Sequence, residues 1–109
     1  MSIERLRDCI DELDRKLVEL LNERARLALK IAEKKRAAGL PLSSPERESQ
    51  VLENATATNH GPLPREAIQR IFRTVIAECR ALEEVMAFDR GDEARGHPGP
   101  DSRCQREAG

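Results

Sequence analysis

The sequence predicts an all-α fold of three helices, long, short and medium, completed by pairing with a second copy of the chain as a homodimer. Three observations carry this prediction. Apolar residues recur at alternating spacings of three and four along two segments, the mark of helices with one buried stripe. The chain has no Trp, no Tyr and two Phe, and formers of β-sheet are scarce. The first apolar ladder is also longer than any other segment can cover alone, which is most simply met by its counterpart in a second chain.

The first helix runs from Ile3 to about Ala38. Leu6, Ile10, Leu13, Leu17, Leu20, Leu27 and Ile31 form its ladder, with one gap at position 24. No Gly or Pro interrupts it before Gly39 and Pro41, which are stop signals, and at ~1.5 Å per residue it spans roughly 50 Å. Ser43-Ser44-Pro45-Glu46 reads as the start of the second helix, with a serine as N-cap and Pro45 in the first turn, where a missing N–H costs nothing. That helix runs to about Asn54 or beyond. Asn59-His60-Gly61-Pro62 is a turn. After Pro64, the residues Ile68, Ile71, Phe72, Val75, Ile76, Cys79, Leu82 and Met86 give a third helix ending near Ala87 or Phe88.

From Asp89 onward Gly, Pro, Asp, Arg and Ser replace apolar residues, so residues 89–109 bury too little surface to offset the entropy of ordering them. They are expected to be a disordered tail to a single domain of residues 1–88. A domain of this size has little interior of its own, which also favours association.

The charge is dense but balanced, Lys+Arg 19 against Asp+Glu 20, so neither a general nucleic-acid binder nor a membrane-surface binder is expected. Any basic site must be local. Cys9, Cys79 and Cys104 are far apart, without the spacing of a disulfide framework or a zinc site. No apolar stretch has signal-peptide or membrane length. A cytoplasmic location is expected.

Against this pattern three charges stand where apolar residues belong. At ~100° per residue, Arg24 falls in the middle of the first helix's apolar arc, and Lys35 lies in the same arc one turn after Ile31. Glu83 follows Phe72, Ile76 and Cys79 on the third helix. A charge on a buried face needs a partner or a ligand. Arg24 and Glu83 paired between helices is one reading, long stems snorkelling outward at a helix end or seam is another, and a bound ligand is the third. Arg7 lies at the edge of the stripe, and Arg47 and Glu48 in the first turn of the second helix; taken singly, each reads as a solvated charge.

The run Leu6-Arg7, Ile10-Asp11-Glu12-Leu13-Asp14, Leu17 through Arg24, Leu27-Ala28 and Ile31-Ala32-Glu33-Lys34-Lys35 closely resembles the first helix of AroQ-class chorismate mutases. The resemblance continues through Pro41, Glu46-Arg47-Glu48, Ile71-Phe72-Arg73 and Ala77 to Glu83, covering about residues 3 to 86 and including the awkward charges. It implies an intertwined homodimer of three-helix subunits that rearranges chorismate to prephenate in phenylalanine and tyrosine biosynthesis. By this resemblance Arg7 is contributed across subunits, and together with Arg24 of the host subunit binds substrate carboxylates. Lys35 reaches a carboxylate and the ether oxygen of the breaking bond, Arg47 adds to the carboxylate contacts, Glu48 accepts from the ring hydroxyl, and Glu83 faces the ether oxygen. Two positions depart from the pattern of well-known members: Ser44 stands where aspartate is common, and Cys79 where serine is common.

The implied reaction is an intramolecular pericyclic shift, so neither a cofactor nor a metal is expected. Clamping both carboxylates selects the compact conformer, and donors placed at the ether oxygen stabilise charge developing there. A donor at Glu83 must be protonated. A free glutamate titrates at about 4.3, so burial has to raise its pKa while Lys35 opposes the shift. Two alternatives remain open: an isochorismate pyruvate lyase of the same fold, and a non-catalytic helical dimerisation or regulatory module.

Overall fold

In the computed structural model, which describes residues 2–88, three helices follow one another: α1 Ile3–Ala37, α2 Pro45–Ala57 and α3 Arg65–Phe88. The expected disordered tail, residues 89–109, lies outside the described residues, as does Cys104. Cys9 and Cys79 are free thiols.

Local chemistry sets the ends of α1. Ser2 caps its start, the hydroxyl accepting from the Arg5 N–H at 3.1 Å; Glu4 in the first turn and Lys34, Lys35 and Arg36 in the last complement the helix dipole. At the other end the Leu40 N–H donates to the Lys35 carbonyl at 2.8 Å, and the Gly39 N–H to the Arg36 carbonyl at 3.1 Å. This closure needs a left-handed residue, and Gly39 supplies it at φ +74°. The 35 residues between account for the molecule's longest dimension of 52 Å.

Ser44 caps α2, its Oγ accepting from the Arg47 N–H at 3.3 Å, and Pro45 opens the first turn as predicted. The helix continues to Ala57, three residues past Asn54. Asn59 braces the following turn. Its Oδ1 accepts from the Gly61 N–H at 3.0 Å, and its Nδ2 donates to the Leu63 carbonyl at 2.9 Å. The Pro64 carbonyl then accepts from the Ala67 and Ile68 N–H groups and starts α3.

α3 packs against both α1 and α2. The best-covered side chains are Ala32 of α1 and Cys79 of α3, at 2% and 8% exposure. Every residue from Ser2 to Asn22 is exposed, and cover begins only at Glu23. The ladder residues Leu6, Ile10, Leu13, Leu17 and Leu20 are therefore 47–60% exposed. Fully burying one such side chain from full exposure is worth about 1.5–3 kcal/mol, so covering the exposed half of these five is worth on the order of 4–8 kcal/mol. Among the described residues no helix is long and apolar enough to cross a membrane.

Candidate active site

The C-terminal half of α1, the start of α2 and the middle of α3 enclose a cavity of about 290 Å³. Arg24 and Lys35 reach it from α1, Ser44, Arg47 and Glu48 from the start of α2, and Cys79, Arg80 and Glu83 from α3. Leu27, Ile31, Leu42, Val51 and Ile76 supply its apolar walls. Helical spacing explains the grouping: Ile76, Cys79, Arg80 and Glu83 sit three and four residues apart on one face of α3.

Hydrogen bonds hold most of these polar groups. The Arg24 guanidinium donates from Nη1 to Cys79 Sγ at 3.3 Å, so the thiol acts as an anchor, and Arg24 is not tied up by Glu83. Lys35 donates from Nζ to the Leu42 carbonyl at 3.3 Å, which fixes the ammonium across the α1–α2 connection and leaves further donors free. Arg47 lies at the exposed mouth, where Nη1 donates to Gln50 Oε1 at 2.7 Å. Glu48 accepts from Arg80 across α2 and α3.

Glu83 differs from Glu48. Burial pushes its carboxyl pKa above the ordinary glutamate value, and this outweighs the opposing positive charges of Arg80, Lys35 and Arg36; Glu84 reinforces the rise. Arg24, Lys35, Arg47 and Arg80 line the cavity with two carboxyl groups, Glu48 and Glu83, of which Glu83 gives up its proton less readily than a free glutamate. A site with more cations than carboxyl groups favours a small polyanion.

The structure thus brings together the sequence-predicted residues Arg24, Lys35, Ser44, Arg47, Glu48, Cys79 and Glu83. It does not bring Arg7. That residue is exposed on α1, seventeen residues before Arg24, or roughly 26 Å along the helix. Two polar participants were missed from the sequence. The Leu42 carbonyl has no side-chain signature, whereas Arg80 was visible, four residues after Ile76 and three before Glu83.

Fold and cavity define an all-helical protein whose cation-rich site suits a compact anion. The chain belongs to the chorismate mutase type II family, whose model matches residues 6–84. It is 39% identical over 85 residues to the chorismate mutase of Methanocaldococcus jannaschii, covering 76% of this chain and 85% of that protein. It is 41% identical over 87 residues to the bifunctional chorismate mutase/prephenate dehydratase of Aquifex aeolicus, covering 76% of this chain and 24% of the relative. The chain spans about a quarter of the length of the bifunctional relatives it matches. Among solved structures, chorismate mutase (form II) from Thermus thermophilus superposes with a TM-score of 0.74 at 38% identity, over 75% of this chain and 93% of that one.

Proposed function

We propose that this chain is a chorismate mutase, converting chorismate to prephenate in the cavity between α1, α2 and α3, within a homodimer in which Arg7 of the second copy completes the site. The observation that carries the reading is that Arg24, Lys35, Arg47 and Glu83, whose pKa burial raises, line one cavity. Chorismate has two carboxylates, a ring hydroxyl and an enol ether oxygen that gains negative charge as its C–O bond breaks. Arginines hold the carboxylates by paired N–H contacts. Lys35 and protonated Glu83 donate to the ether oxygen, and Glu48 accepts from the hydroxyl. Ser44 contributes as the cap that aims the first turn of α2, and Cys79 as the acceptor that steadies Arg24.

Dimerisation is supported by the uncovered apolar stripe of α1 and by the absence of Arg7 from the single-chain site. Residues 1–88 form the catalytic unit of a cytoplasmic enzyme that needs neither metal nor cofactor, because the bonds broken and formed belong to one molecule.

The test is incubation of the purified chain with chorismate, following its loss and the gain of prephenate. Turnover is expected, with Arg24→Ala lowering kcat/KM by about a hundredfold or more through loss of a charged contact in a partly desolvated site. No turnover of chorismate, or turnover of isochorismate to salicylate and pyruvate instead, overturns the reading.

A further inference from the structure

Arg80 is a cation of the cavity for which the proposed reaction has no use. It is partly covered, cannot lose its proton, and sits on the same face of α3 as Glu83 at a separation of three residues while bonding Glu48 on α2. We propose that Arg80 is a positioning residue: its guanidinium pins the Glu48 carboxylate to the cavity wall and keeps the two glutamates in different roles, Glu48 an acceptor and Glu83 a donor. The inference rests on the reading of the cavity as a chorismate site.

Two carboxyl groups, those of Glu48 and Glu83, line one cavity, and an acceptor and a donor role must be divided between them. A fixed guanidinium bonded to one of them settles the matter. Glu48 Oε2 accepts from Arg80, and the second oxygen remains to accept from a hydroxyl. Glu83 receives only the more distant charge of the same group. The charges acting on it are Arg80 and Glu84 of α3 and Lys35 and Arg36 of α1, and Arg24 of α1 and Arg47 and Glu48 of α2 line the same cavity. Burial raises the Glu83 pKa, with Arg80 the strongest of the charges opposing the rise. One side chain thus holds one carboxylate in place and sets how far the other resists ionisation.

The test is a set of variants, Arg80→Gln, Arg80→Lys, Glu48→Gln and the Arg80→Gln/Glu48→Gln pair, read by kcat and KM across pH. Arg80→Gln is expected to raise KM about tenfold, the scale of one charge-assisted hydrogen bond, with a smaller change in kcat. The pair is expected to be no worse than Glu48→Gln alone. The alkaline fall in activity is expected to move to higher pH in Arg80→Gln and to return in Arg80→Lys, which restores the charge but not the planar fork. Additive losses with an unmoved pH profile overturn the proposal. If Arg80→Gln does not fold, Arg80→Lys decides: a raised KM with a wild-type pH profile supports the assignment, and a wild-type KM refutes it. A wild-type chain inactive on chorismate defeats the functional reading separately. Carboxyl-carbon NMR titration of the ligand-free Arg80→Gln chain still tests Arg80 in that case: an upward shift at Glu83 supports the proposal, and unmoved titrations at Glu48 and Glu83 overturn it.

Discussion

Replacing Glu83 by Gln separates donor chemistry from charge. The glutamine keeps the shape and an N–H donor but cannot ionise. In the wild type, burial raises the Glu83 pKa against Arg80, Lys35 and Arg36, so the protonated donor persists to higher pH than in a free glutamate. Above that pKa the protonated fraction falls by roughly tenfold per pH unit, and kcat/KM is expected to fall with it. Glu83→Gln holds its donor at every pH, so its profile is expected to be flat over the same range, crossing above the wild type at the alkaline end. Stability follows the same sign. A raised folded-state pKa means that the contribution of Glu83 is complete below its unfolded pKa and is lost as pH rises through the folded one. Glu83→Gln should therefore lose less stability than wild type on going alkaline. The assay is kcat/KM for chorismate in constant-ionic-strength buffers, with urea melts alongside. A wild-type profile that does not fall, or a variant that falls in parallel with it, would refute the protonated-donor argument.

Two further outcomes follow from the fold. Gly39→Ala meets nothing within 4 Å, so its cost comes only from the backbone at φ +74°, about 1–2 kcal/mol in urea melts, with kcat little changed because the cavity is untouched. Leu17→Asp places a charge in the middle of the uncovered α1 stripe and is expected to shift the chain from dimer to monomer in sedimentation equilibrium, with loss of activity. A dimer that persists in that variant would place the interface elsewhere.

The helices were legible because their signals are local. The ladder Leu6 to Ile31 gives the length of α1, Gly39 its stop and Ser44-Pro45 the start of α2. The end of α2 was less sharp, because Ala55, Thr56 and Ala57 neither demand nor forbid another turn. The cavity was legible through its misplaced charges, Arg24, Lys35 and Glu83, since a helical face displays its exceptions. What one face cannot display is who bonds whom. The sequence left open an Arg24–Glu83 pair; packing instead sends Arg24 to Cys79 and gives Glu48 to Arg80, pairings fixed by how α3 seats between its neighbours. The Lys35 contact with the Leu42 carbonyl is a backbone feature that no residue type announces.

The central claim, a mutase site shared between two copies, is tested most directly by mixing two inactive variants. Arg7→Ala and Arg24→Ala chains are each expected to turn over chorismate poorly, one lacking the visiting arginine and the other the host's. Co-refolded in equal amounts, half the dimers are mixed, and each mixed dimer has one site with both arginines intact, so about a quarter of wild-type activity should return on random pairing. A mixture no more active than its parents would contradict a site built from two chains.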